Sequence, residues 1–142
     1  MTVTTIFGER RIYRAEGVEV KSSNLHGRGV FALKKFRKGD TIETAPIILL
    51  PSGQRAFLQP TLLFSYYFLI NTGEKGVAVG LGYSSLYNHS YKANACFVIS
   101  LRRRTITIKA CRTIPEGEEI TFNYNGIPDD ETPVYLALEK TQ

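Results

Sequence analysis

Asn88-His89-Ser90-Tyr91-Lys92-Ala93-Asn94 is the stretch on which the reading of this chain turns, because it is followed downstream by Gly117-Glu118-Glu119-Ile120-Thr121-Phe122-Asn123-Tyr124-Asn125. Taken alone, the first stretch fits the N-x-S glycosylation sequon, a pattern short enough to arise by chance. Residues 1–14 contain no apolar segment leading to a small-residue cleavage site, so no secretory signal accompanies it and glycosylation is not expected. A lone histidine is ordinarily structural, and with two His in the chain a metal cluster is not expected. Upstream, Gly27-Arg28-Gly29-Val30-Phe31-Ala32 matches the dinucleotide fingerprint G-x-G-x-x-A. That fingerprint needs a helix opening directly on the glycines to receive a phosphate. Here Val30-Phe31-Ala32 reads as strand and Gly39-Asp40 soon turns the chain, so the helix has no room. The segment is a glycine-rich turn entering a strand.

The rest of the chain has the same texture. Strand-like runs are expected at 17–20, 29–32, 41–50, 77–81, 95–101, 105–110 and 119–124, separated by turn signals such as Lys38-Gly39-Asp40 and Pro115-Glu116-Gly117. Alternation is clearest at Thr105-Ile106-Thr107-Ile108-Lys109, where the isoleucines share a face. Residues 62–70 are the one helix candidate, ambiguous with a strand because the run is short and aromatic. A chain of 142 residues with 43% hydrophobic and 22% charged residues fits one folded domain with a real core. Its mean hydropathy of -0.12 fits a soluble one. The longest apolar run, 62–70, is too short to span a bilayer, and a cytoplasmic or nuclear setting is expected. Cys96 and Cys111 form neither a zinc site nor a disulfide framework, and in a reducing compartment they are expected as thiols.

The net charge of +5 makes the surface mildly basic, with Arg102-Arg103-Arg104 and Lys34-Lys35-Phe36-Arg37-Lys38 as the densest clusters. Short basic runs beside turns are ordinarily solvated loop faces, which argues against direct nucleic-acid binding. The eight Tyr and eight Phe fall mostly inside apolar runs, favouring core or pocket lining over base stacking.

In this order, G-x-G-V-F, N-H-S-x-x-A-N and G-E-E-I-T-x-x-Y, the three motifs resemble the SET-domain protein lysine methyltransferases. The usual pattern carries Pro where Ala93 stands, and many members carry Cys where Tyr91 stands. The resemblance implies a mainly β fold, the β-clip SET fold, with short curved sheets around a C-terminal pseudoknot and little helix. It implies a single SET domain over 1–142, with a core of about 18–126 and a tail, 127–142, closing the pocket. It also implies transfer of a methyl group from S-adenosyl-L-methionine, leaving S-adenosyl-L-homocysteine, to a lysine ε-amine, with no metal. Gly27, Arg28, Gly29, Asn88, His89, Tyr124 and Tyr135 are then the cofactor contacts, a glycine serving where a side chain would block close approach. Asn94 holds the local turn. Tyr124 carries the chemistry, Phe122 influences how many methyl groups are added, and Tyr66 lines the lysine channel. There is no Cys-rich closing segment, so Tyr135 is expected as an aromatic lid over the adenine.

The chemistry such a site must perform is mainly positioning. A lysine with an unperturbed pKa near 10.4 needs roughly 4.6 kcal/mol to lose its proton at pH 7, from about 3.4 units at about 1.36 each. A narrow aromatic channel lowers that by desolvation, and its walls still suit a methylated, charged product through cation–π attraction. The partner implied is a protein or peptide substrate, histone-like or from the ribosome and translation machinery, with no membrane. The resemblance also allows a homodimer. The competing reading is a catalytically silent SET-like basic β-domain that binds nucleic acid or an acidic protein.

Overall fold

The structure, a computed structural model, describes residues 15–70 and 76–134. Its elements in chain order are β1 (Val18–Ser22), β2 (Arg28–Ala32), β3 (Thr41–Pro51), α1 (Ser52–Leu58), a single 3-10 turn (Leu62–Ser65), β4 (Tyr67–Ile70), β5 (Gly76–Gly80), β6 (Asn88–His89), β7 (Ala95–Ser100), β8 (Thr105–Ala110) and β9 (Glu119–Phe122). The strands form one open sheet in the order β1-β2-β9-β7-β8-β3-β5-β4, with β6 beside β9. The mainly β architecture expected from the alternation is present.

Three features of this sheet build the site. First, β9 comes last among these strands yet lies inside the sheet, antiparallel to β2 and parallel to β6 and β7. The pairing of Asn88 with Thr121 and His89 with Phe122 brings the two sequence motifs side by side. Second, β3 is shared between neighbours, pairing with β8 through Thr41 to Pro46 and with β5 through Ile47 to Pro51. Third, the register of β3 against β8 shifts between Thr41 and Glu43, a bulge that turns both Ile42 and Glu43 inward. The core gathers Val30, Ile42, Ile106, Ile108, Ile114 and Ile120, all without exposed surface. Burying each is worth about 1.5–3 kcal/mol. Ile106 and Ile108, which the alternation at 105–110 put on one face, both belong to this core.

Several expectations are corrected. Residues 62–70 are not a helix: one 3-10 turn ends at Ser65, and β4 follows because the segment pairs with β5, Tyr67 opposite Val79. The helix lies earlier, at Ser52–Leu58, and buries no residue, so no apolar stripe announced it. Cys96 and Cys111 are paired as a disulfide rather than left as thiols. The hairpin register explains the proximity: Ala95 faces Ala110, so the residues just beyond on opposite strands lie diagonally, with Cα atoms 6.0 Å apart. No helix among the described residues is long and apolar enough to cross a membrane.

Candidate active site

Tyr124 stands just beyond β9, and its position follows from the pairing of β9 with β6. Its backbone N–H donates to His89 Nδ1 at 3.1 Å, and its hydroxyl donates to the Tyr87 carbonyl at 2.8 Å. Burial pushes the phenol above its ordinary range, and the neighbouring Tyr66 and Glu119 push the same way. The group therefore stays protonated at neutral pH. With its single proton committed to Tyr87, the oxygen can meet a further neighbour only as an acceptor. Such a hydroxyl can accept from a donor that enters the site, and it is not poised to act as a base.

His89 is lowered in pKa by burial and is neutral near pH 7. Accepting at Nδ1 places its proton on Nε2, which is buried without a hydrogen-bond partner among the described residues. Its ring packs edge-on against Tyr91, centroids 4.4 Å apart, and lies 5.1 Å from the ring of Tyr124. Its side chain thus supports Tyr124 from behind.

In front of Tyr124 opens a cavity of about 530 Å³. Tyr66, Tyr67, Phe68, Tyr87, Phe97 and Phe122 contribute to its wall, with Ser84 and Ser85 as hydroxyls and Pro133 and Val134 from the following segment. Phe122, almost fully buried, packs its ring among those of Phe97, Tyr87, Tyr124 and Phe68 at centroid distances of 4.9 to 6.0 Å. No carboxylate, imidazole or thiol is among the described residues lining this cavity, and Arg55 is its one charged group. None of these described residues can serve as a general base of ordinary pKa, and what they offer an entering amine is desolvation, which favours its neutral form. The volume and aromatic lining suit a lysine side chain and its backbone flanks.

Behind the cavity lies a narrow cleft lined by His26, Gly27, Arg28 and Asn88, and also by Tyr66 and Ser85, which line both spaces. Gly27 has a φ of +49°, a left-handed conformation, and its carbonyl accepts from the Ser23 N–H to close the turn. Asn88 donates through Nδ2 to the carbonyls of His26 and Arg28, at 3.0 and 3.2 Å, and to Glu119 Oε1 at 2.7 Å. Glu119 in turn accepts from the Ser23 hydroxyl. The glycine-rich turn, the Asn88 motif and the strand leading to Tyr124 are thereby tied into one network. His26 Nε2 is buried and has no hydrogen-bond partner among the described residues.

The structure thus brings Gly27, Arg28 and Asn88 to one cleft and Tyr66, Phe122 and Tyr124 to the adjoining cavity. Gly29 also has a packing role that the sequence did not show. A Cβ there would collide with the Glu119 carboxylate and lie 3.0 Å from Asn88 Nδ2, so glycine is needed for protein packing. Asn94 also does more than hold a turn. It donates through Nδ2 to Glu118 Oε1 and to the Glu119 carbonyl, both at 2.7 Å, and accepts at Oδ1 from the Thr121 N–H at 2.9 Å. One buried side chain stands in for a neighbouring strand along β9. Tyr135, the expected lid, lies outside the described residues. Sequence reasoning missed Glu43 and Tyr87, two buried groups of this site; their hydroxyl–carboxylate contact spans 44 positions and leaves no periodic trace.

The SET domain family model matches residues 27–125, which contain the cleft, the cavity and the network between them. The chain belongs to the SET-domain protein lysine methyltransferases. Among SET proteins, the histone-lysine N-methyltransferase of Schizosaccharomyces pombe specific for H3 lysine-37 is 30% identical over 108 residues, covering 75% of this chain and 72% of that protein. The crystal structure of a candidate histone methyltransferase from Plasmodium falciparum superposes with a TM-score of 0.62 at 28% identity, covering 76% of this chain and 92% of the other. The structural match agrees with a mainly β SET fold. No group of three or more His, Cys, Asp or Glu side chains among the described residues could hold a metal ion.

Proposed function

We propose that this protein transfers a methyl group from S-adenosyl-L-methionine to the ε-amine of a lysine in a protein substrate, with the cofactor along the cleft and the lysine in the cavity. The observation that carries the reading is the placement of Tyr124: its hydroxyl is fixed on the Tyr87 carbonyl beside a cavity that shares Tyr66 and Ser85 with the cleft of Gly27, Arg28 and Asn88. Two spaces meeting at a pair of side chains suit a reaction between two molecules that enter separately.

The cleft's donor set fits the cofactor. The carboxamide of Asn88 and the backbone of Gly27 and Arg28 suit its amino-acid portion, and the unpartnered His26 Nε2 offers a further polar contact. The enclosed volume there is only about 10 Å³, so the cofactor would lie along the open side of these residues. When bound, it supplies a methyl group on a positively charged sulfonium that leaves readily. The residues around it then have two tasks. Tyr66, Phe122 and the other aromatic walls exclude water and favour the neutral amine. Tyr124 accepts an N–H of that amine and holds its lone pair in line, which is where most of the acceleration arises. Phe122 brings no hydroxyl that would hold water beside the amine, which supports addition of more than one methyl. The activity named for the S. pombe relative supports a histone-like substrate.

The test is transfer of labelled methyl from S-adenosyl-L-methionine into recombinant histones and into a lysate of the source cells, comparing wild type with Tyr124→Phe. Calorimetry measures cofactor binding by both. Lysine-specific labelling reduced tenfold or more in Tyr124→Phe, with cofactor binding retained, supports the reading. Absence of cofactor binding to the wild type overturns it in favour of a silent SET-like binding domain.

A further inference from the structure

We propose that Glu43 is a positioning residue for this reaction, its carboxylate fixing the loop 81–87 so that the Tyr87 carbonyl holds the Tyr124 hydroxyl. The inference rests on the role given to Tyr124 above and adds the part of the protein that sets where its hydroxyl points.

Glu43 lies on β3, and the bulge beside it carries it into the interior, leaving 3% of its surface exposed. A carboxylate there is tolerated only when its oxygens are satisfied. Both are: Oε1 accepts from the Tyr83 N–H at 2.8 Å and Oε2 from the Tyr87 hydroxyl at 3.1 Å. The two donors lie in the middle and at the end of one loop, whose beginning is separately tied to β3 by the Leu81 N–H donating to the Pro46 carbonyl at 3.0 Å. The loop backbone also presses on the carboxylate. Gly82 has a φ of +64°, and a Cβ there would collide with Glu43 Oε1. Within the loop, the Ser84 hydroxyl donates to the Leu81 carbonyl and the Leu86 N–H to the Tyr83 carbonyl, both at 2.8 Å, so the segment moves as a unit.

Tyr87 connects this clamp to the site. It is 1% exposed, with its hydroxyl on Glu43 and its carbonyl accepting from the Tyr124 hydroxyl at 2.8 Å. Its ring leans on Phe122, and Ser84 and Ser85 of the same loop line the cavity. Displacing Tyr87 by a few tenths of an ångström displaces the acceptor that aims Tyr124, and in a reaction governed by positioning that lowers the rate more than it weakens cofactor binding, although Ser85 of the same loop also lines the cleft. A carboxylate suits this post because it accepts from two donors at once. Glutamine, of nearly the same volume, can accept from one and presents an NH₂ to the other.

The test uses the full chain and a double-mutant cycle. Glu43→Gln is expected to bind S-adenosyl-L-methionine within about twofold of wild type and to lower methyl transfer at saturating substrate tenfold or more. In a Tyr124→Phe background the same substitution is expected to change the residual rate less than twofold, because the group it positions is gone. An equal rate loss in both backgrounds, or none in the first, overturns the proposal and leaves Glu43 as a core anchor. Tyr87→Phe removes only the hydroxyl that Glu43 accepts, and carries the same expectations if Glu43→Gln does not fold. NMR of the Tyr124 hydroxyl proton separates this proposal from the functional reading. Unchanged protection of that proton in Glu43→Gln and in Tyr87→Phe overturns the clamp even if the wild type transfers no methyl; faster exchange supports it.

Discussion

Replacing Asn94 by alanine tests how the strand leading to Tyr124 is held. The side chain is buried, at 2% exposure, and makes three hydrogen bonds to β9 and its approach. Asn94→Ala leaves the Thr121 N–H and the Glu119 carbonyl without this partner, while Glu118 Oε1 retains the Arg112 guanidinium at 2.6 Å. Each buried backbone group stripped of its partner costs about 1–3 kcal/mol, so the two together give about 2–6 kcal/mol. That is a large part of the 5–15 kcal/mol that holds a typical domain together. Urea unfolding followed by far-UV circular dichroism reads it directly: with a slope of about 2 kcal/mol per molar, the midpoint falls by about 1–3 M. Asn94→Asp is the companion variant. It preserves an acceptor for Thr121 but sets a carboxylate against Glu118 and the Glu119 carbonyl, so it is destabilised at pH 7 and recovers in part as the pH falls toward the carboxylate range. A loss below about 1 kcal/mol in Asn94→Ala would refute the reasoning, because it would mean that ladder pairing alone secures β9.

Gly29→Ala forces a methyl group onto Glu119 and Asn88, an overpacking that costs about 1–3 kcal/mol; it is expected to lower both the unfolding midpoint and the affinity for S-adenosyl-L-methionine in calorimetry, and unchanged values in both would show that the network yields freely. The pH dependence of stability follows from His89, whose pKa in the folded state is lowered by burial from a reference of 6.5. The unfolded chain then binds the proton more readily, so its contribution to stability is complete above the unfolded value, is lost as pH falls through 6.5, and levels off below the folded value. Denaturation midpoints between pH 8 and 5 are expected to show this decline in wild type and a smaller one in His89→Asn; equal declines would place the titration elsewhere.

How far the sequence could be read depended on the range of each interaction. The alternation at 105–110 identified β8 because one face is core and the other is not, and the turns at Gly39 and Gly117 set the starts of β3 and β9. The helical expectation failed in both directions for one reason, the link between burial and periodicity. Residues 52–58 form a helix that buries nothing, and 67–70 form an edge strand whose aromatic run mimics a buried helix. In the site, the resemblance pointed to Asn88 and Tyr124, and the pairing of β6 with β9 brings their two motifs side by side. Motif spacing could not find the Glu43 clamp, since a bulge breaks the alternation around it and its partners lie 40 and 44 residues away. Gly29 shows a subtler limit. The residue type was legible as a demand for space, but what fills that space is a carboxylate from β9, visible only once the chain is folded.

The interior position of β9 has a consequence for how the protein is made. Its neighbours β2 and β7 emerge from the ribosome first, and until residue 122 has been synthesised each presents a bare edge toward the gap it will fill. Such edges pair readily with other nascent chains. Until then the growing polypeptide is a candidate for chaperone protection, and a transcript truncated before this point is expected to yield an adhesive fragment in place of a weakened enzyme.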